Sequence, residues 1–334
     1  MTSSTAIAVK NVGDIVHYAI KLSTGKSILV VFDERTPLSR LMTSAYRSAL
    51  PEAVFMDFES YGKAVFFEKI DKMQAGDLVI LIQSASFRLD DFRIRIELFK
   101  RGLATVEHLH LERATDEGQM AIYVDALAYD PSYYPPLGHA LKRKIDRAST
   151  IVVRCAGTVL TYEGGMEPAK LNVGDYTGMA NIGGTFPIGE VFSEPKDFSG
   201  LNGEAMLFAF AGTDHLVQIH SPFRIRIEKG ALVAHEGPPS FQEVLDQIGG
   251  EERILVREFG LGLNPAMGKS AVLSDITAFE RQKGLHFSLG EKHGVYKKPG
   301  LNPKKTHYHI DVFVDVERIE SDGEPMYASG TFVV

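Results

Sequence analysis

Apolar and polar positions fall into two textures along the chain. Val9, Val12, Ile15, Val16, Ala19 and Ile20 recur at helical spacing within residues 5–23. Ser27-Ile28-Leu29-Val30-Val31-Phe32-Asp33 then forms a short unbroken apolar run ending in Asp, the pattern of a strand buried on both faces of a parallel sheet. The pattern predicts a helix over 37–50, strands over 53–58 and 76–82, a helix over 90–101, a strand over 104–110 and a helix over 135–147. This alternation predicts an α/β N-terminal domain with an open, mostly parallel sheet over residues 1–148.

From Ile151 onward the runs become shorter and more β-rich. Residues 150–153, 205–209, 223–227, 231–234, 254–259 and 331–334 read as strands between Gly, Asn, Asp and Pro, and one helix is expected over 240–248. The second domain, 149–334, is therefore expected to be α+β and β-rich. A chain of 334 residues is long enough for two cores.

A parallel sheet presents ligands at the carboxyl ends of its strands. Those ends carry Asp33, Asp57, Ser84, His108 and His110, and Asp33-Glu34-Arg35-Thr36-Pro37 is not the glycine-rich turn that a dinucleotide requires. No nucleotide site is assigned there, and His108 and His110 read as structural. The charge balance, 36 basic against 43 acidic side chains, disfavours nucleic acid and anionic membranes as partners. No window approaches a membrane span, and the N-terminal apolar run is broken by Lys10, so a cytoplasmic location is expected. Cys155 is the one cysteine and reads as a small buried apolar group, so any metal must be held by His and carboxylate.

Ligand-type side chains concentrate near the C-terminus. If residues 306–314 form a strand, then His307, His309 and Asp311 share one face, and His286 lies a connection away in Gly284-Leu285-His286-Phe287-Ser288-Leu289-Gly290. Two further carboxylates stand among glycines: Glu190, between Gly189 and Val191, and Glu258, which ends a strand-like run before Gly260 and Gly262. A carboxylate in such a place is either paired or bound to metal, because burying it bare would cost several kcal/mol. Glu280, in Ala278-Phe279-Glu280-Arg281, reads as a charge on a helix face.

Gly189-Glu190-Val191-Phe192 with Pro195, Glu258-Phe259-Gly260-Leu261-Gly262-Leu263-Asn264-Pro265, His286 in its Gly-x-His-x-x-Leu-Gly setting, and His309-x-Asp311 follow one another in an order that resembles the aminopeptidase T/aminopeptidase S family. The resemblance covers most of residues 149–315. It implies an α/β first domain, a second domain carrying two divalent metals (Zn, Co or Mn), and a homodimer. Carried over by position, it makes Glu190, Glu258, His286, His309 and Asp311 the metal ligands, with Glu190 and Glu258 also serving the chemistry. The family has a tyrosine seven residues after the first histidine, where this chain has His293 with Tyr296 close by, so His293 and Tyr296 join the candidate catalytic residues.

The function so implied is metal-dependent hydrolysis, with two metals activating a bridging water to attack the N-terminal bond of a peptide. Two alternatives remain at this point. The layout also resembles the 2,5-dihydroxypyridine 5,6-dioxygenases, which share the fold and hold a single Fe(II) with a His-x-Asp pair and another histidine. A histidine is expected there where this chain has Glu258, so the glutamate favours the hydrolase. The second alternative is a member of the family that binds a small ligand without turnover.

Overall fold

The computed structural model describes residues 3–89, 92–301 and 306–334, and the expected start of a helix at Asp90 lies outside them. The chain divides into two compact units. One comprises Met1–Pro135, Gly174–Ile188 and Ala271–Ala278; the other comprises Pro136–Val173, Gly189–Ser270 and Phe279–Val334. Where the sequence suggests one boundary at 148, the chain leaves the first unit near residue 135 and rejoins it twice.

The first unit holds a five-stranded sheet in the order Gly183–Thr185, Ala104–His108, Leu78–Ile82, Ile28–Phe32, Val54–Asp57, with every pair parallel. Every residue of the three middle strands is buried, as the unbroken apolar runs of Ile28–Phe32 and Leu78–Ile82 require, while Ala104–His108 also buries Thr105, Glu107 and His108. Helix Pro37–Ala49 begins in a reciprocal cap: the Thr36 hydroxyl accepts from the Ser39 N–H while the Ser39 hydroxyl accepts from the Thr36 N–H. Two helices escape the sequence pattern, Phe58–Ile70 and Glu117–Ala126. Their apolar residues are spread around the helix rather than gathered on one stripe, although Asp57 and Asp116 cap their starts. Phe66 and Ile70 of the first of these pack with Leu29, Val31, Met56, Val79 and Leu81 beneath the sheet. The helical segment that opens the chain, Ser3–Asp14, continues as a π-helical turn to Ala19.

The second unit is built on a large antiparallel sheet, thirteen strands among the described residues. Its centre runs in the order Leu201–Ala211, Ile310–Val314, Gly284–Leu289, Val256–Gly262, Glu190–Ser193, Lys170–Asn172. Register decides what each face carries. Phe259 pairs with Phe287, Leu261 with Leu285 and Phe287 with Val312, so one face is apolar, and the Tyr162 ring lies 5.3 Å from that of Phe259. Gly260 pairs with His286, Glu190 with Gly262 and Ser288 with Asp311, so the opposite face carries the polar residues of the motifs. Among the described residues, no helix is long and apolar enough to cross a membrane.

The polar groups at the strand ends of the first unit satisfy one another. Asp33 accepts from the Ser84 N–H at 2.7 Å, from the Ser84 hydroxyl and from the Arg35 N–H. His108 is buried between two tyrosines. The Tyr123 hydroxyl donates to the Phe186 carbonyl, so it accepts from His108 Nδ1–H at 2.9 Å, and the Tyr46 hydroxyl donates to Nε2 at 2.8 Å. A neutral ring satisfies both partners, and burial lowers the imidazole pKa to about 3.

The folded protein therefore binds this proton less readily than the unfolded chain does. The contribution is fully present above about pH 6.5 and is lost as pH falls toward 3, at about 1.4 kcal/mol per pH unit where the two states differ by a whole proton. Urea unfolding between pH 4 and 7 should show this slope in the wild type, and His108→Phe should lower stability at pH 7 but flatten the acid limb by one proton. An unchanged slope in the variant would mean that His108 is not the titrating group.

Candidate metal centre

The polar face of the second unit's sheet gathers four carboxylates and three imidazoles. His286, on strand Gly284–Leu289, is fully buried, and its Nε2 lies 3.3 Å from Glu190 Oε1 and 3.2 Å from Glu258 Oε1. The other Glu258 oxygen lies 2.9 Å from His293 Nε2. His309, just before strand Ile310–Val314, places Nε2 3.2 Å from Asp311 Oδ1. Gly260 makes room for this arrangement. It stands opposite His286 in the register, and a Cβ there would lie 2.2 Å from the ring's Cε1 and Nε2.

Three sets of side chains bring one ligand atom each within 4.8 Å of one another: Glu190, Glu258 and His286; Glu258, His309 and Asp311; Glu280, His286 and Asp311. Each set joins one imidazole to two carboxylates, and Glu258 belongs to the first two. Glu280 is the residue that sequence reasoning missed. Its short helix, Ile276–Phe279, ends one residue earlier, and the carboxylate turns toward His286 and Asp311 instead of lying on a helix face. The buried Arg281 guanidinium contacts Glu280 and lies 3.6 Å from Glu190 Oε2.

The site is rich in negative charge. Burial works against the charge of Glu258, but the imidazoles of His286, His293 and His309 outweigh it and hold the carboxyl well below its usual range. Burial also disfavours charge on His286, yet hydrogen bonds to Glu190 and Glu258 and the nearby Asp311 raise its pKa to about 10. His309 is raised to about 9, against the effect of burial, chiefly by Asp311.

A potential that attracts protons this strongly attracts divalent cations as well, and the two compete for the same lone pairs. The donors present suit such an ion: oxygen and imidazole nitrogen, with separations of 3.2–3.3 Å, close to those between neighbouring ligands bound at about 2.1 Å. Two buried atoms of the cluster, His286 Nδ1 and Asp311 Oδ1, have no hydrogen-bond partner among the described residues. The residues present therefore fit a divalent metal.

Of the residues singled out in the sequence, Glu190, Glu258, His286, His293, His309 and Asp311 come together, whereas Tyr296 and His307 turn elsewhere. The Tyr296 hydroxyl donates to the Pro168 carbonyl at 2.8 Å, with the Phe192 carbonyl at 3.3 Å, and burial pushes its pKa up. The strand expected to begin at 306 begins at Ile310. The N–H groups of His307 and Tyr308 bond to the Glu252 carboxylate instead of a neighbouring strand, and the exposed His307 ring faces Glu251 at 3.9 Å.

No family model matches the chain, and no curated protein matches it. Among solved structures, the fold is similar to that of 2,5-dihydroxypyridine dioxygenase from Pseudomonas putida KT2440, with a TM-score of 0.65 and 16% identity over 98% of this chain and 97% of that one. It is also similar to wild-type AmpT from Thermus thermophilus, with a TM-score of 0.59 and 14% identity over 98% and 99%. These are the two groups that the motifs resemble; at such identities the likeness is one of fold.

The close approach at Gly260 generates a test. Gly260→Ala should displace the His286 ring and lower stability by about 1–3 kcal/mol. Gly268→Ala, where an added Cβ meets nothing within 4 Å, should stay within about 0.5 kcal/mol of the wild type. Similar unfolding curves for the two variants would remove the steric role given to Gly260.

Proposed function

We propose that the chain is a metal-dependent hydrolase of the aminopeptidase type, using two divalent ions to cleave the N-terminal bond of a peptide. The observation that carries this reading is the sharing of Glu258 between two converging ligand sets, Glu190–Glu258–His286 and Glu258–His309–Asp311. A carboxylate has two oxygens and can serve both sets, as a paired metal site requires. A mononuclear iron oxygenase instead uses two imidazoles and one carboxylate. Here every converging set among the described residues holds one imidazole and two carboxylates, which favours the hydrolase.

Ions bound there would supply Lewis acidity, lowering the pKa of a water and polarising the scissile carbonyl. The protein's own groups do the rest. Glu190, Glu258 and Asp311 would hold the positive charge in place, and Gly260 leaves room for the His286 ring. One carboxylate of the cluster accepts the proton that the attacking water gives up. The acidic lining also favours a substrate with an unblocked amino terminus, and so supports cleavage at that end.

His309 is prepared for ligation by its neighbour. Its Nδ1–H donates to the Lys292 carbonyl at 3.2 Å, which leaves Nε2 as the nitrogen that would exchange its proton for a metal.

The test uses peptides with free and acetylated N-termini. The wild type should hydrolyse the free peptides only. Glu258→Gln should lower divalent-metal affinity and hydrolysis together, each by about 100-fold or more, with cooperative unfolding retained. A Glu258→Gln protein with wild-type metal affinity and turnover would remove Glu258 from the centre.

A further inference from the structure

The same stretch of backbone meets two histidines near Glu258 in opposite senses, with a carbonyl at one Nδ1 and N–H groups at the other. His309 donates its Nδ1–H to the Lys292 carbonyl, which leaves Nε2, beside Asp311, as the nitrogen that can exchange a proton for a metal. His293 does the reverse: its Nδ1 accepts from the backbone N–H groups of Val295 at 3.1 Å and Tyr296 at 3.4 Å. A ring nitrogen that accepts carries no proton, so the proton of His293 sits on Nε2. An Nε2–H has no lone pair to offer a metal; it can only donate.

That donor is poised and not consumed. The His293 side chain is 2% exposed, and Nε2 lies 2.9 Å from Glu258 Oε2. Even so, the atom has no hydrogen-bond partner among the described residues. A buried donor left unpaired beside a carboxylate is ready for an acceptor that arrives with the substrate.

The turn that carries His293 is fastened from several sides. Arg257, buried on the same strand as Glu258, donates from Nε and Nη2 to one Glu194 oxygen at 2.9 and 2.7 Å and also donates to the carbonyls of Glu291 and Tyr296. Lys298 holds the far side through Glu167 at 2.6 Å and the Lys196 carbonyl at 3.0 Å. The Tyr296 hydroxyl ties the same turn to Pro168. So many anchors on one short turn imply a fixed ring orientation, as donation to a developing charge requires.

We propose that His293 is a catalytic residue, a hydrogen-bond donor locked as the Nε2–H tautomer, which stabilises the oxyanion formed when water attacks the scissile carbonyl. In that step the water oxygen bonds to the carbonyl carbon, the C=O π pair moves onto oxygen, a carboxylate takes the water's proton, and His293 donates without giving up its own. This role rests on the hydrolase reading above. It also separates His293 from the ligands, because its loss should leave metal binding intact.

Two measurements test it. Nitrogen-15 NMR of histidine-labelled metal-free protein should show His293 with a protonated Nε2 and a bare Nδ1; a proton on Nδ1 would overturn the proposal. His293→Phe keeps a ring against Phe192 and Tyr296. It should retain metal stoichiometry and the KM for a free peptide, while kcat and the affinity for a phosphinic peptide, a tetrahedral oxyanion mimic, fall about 100- to 1,000-fold. His293→Gln, which restores an N–H, should recover part of both. Loss of metal in His293→Phe would make His293 a ligand, and unchanged kcat and phosphinate affinity would leave it a packing residue; either overturns the assignment. A wild type that neither cleaves peptides nor binds the phosphinate would instead fail the hydrolase reading, with the tautomer still read from the spectrum.

Discussion

Four carboxylates brought together on one buried sheet face are the constraint to which the second unit answers. Each carboxylate removed from water needs positive charge or donors around it, and several kcal/mol are at stake if it has none. The protein answers with His286, His309 and the Arg281 guanidinium, and the raised proton affinities of His286 and His309 show how strong the remaining negative potential is. The opposite face of the same strands is packed with Phe259, Leu261, Leu285, Phe287 and Val312. That apolar face fixes the register, and the register in turn fixes which polar side chains meet. A one-residue slip would exchange the two faces and dissolve both core and site.

Precision is therefore inherited in two ways. Glu190, Glu258, His286 and Asp311 take their places from strand pairing, on a scaffold held together by hydrophobic packing. His293 lies on a turn with no ladder to hold it, and that turn is fixed by a separate buried ion-pair network around Arg257 and Glu194. Removing either partner of that pair would strand a buried charge, a far larger penalty than the loss of an exposed ion pair.

The parallel sheet of the first unit was legible because strands buried on both faces tend to be continuously apolar, as Ile28–Phe32 and Leu78–Ile82 are. Helices 58–70 and 117–126 were not, since they lack the single apolar stripe that periodicity detects. In the site, Glu190, Glu258, His286, His309 and Asp311 were signalled by glycines beside carboxylates and by His-x-Asp spacing. Glu280 was hidden because its role depends on where a four-residue helix stops, which no local pattern announces. His307 misled for the converse reason. Its i, i+2 spacing suits a strand, but Glu252 captures the backbone N–H groups of residues 307 and 308 and delays the strand to Ile310. Its likeness in fold to both a dioxygenase and AmpT leaves the chemistry to be argued from the donor set, and there the carboxylates outnumber the imidazoles in every converging group.

The most direct test is to count divalent ions per chain by elemental analysis, after reconstitution with Zn, Co, Mn or Fe(II) and removal of excess metal. Sharing of Glu258 between two ligand sets predicts two equivalents per chain, falling to one or fewer when Glu258 is replaced by Gln. A single equivalent in the wild type, held unchanged in the variant, or no metal retained under any of these conditions, would contradict the account.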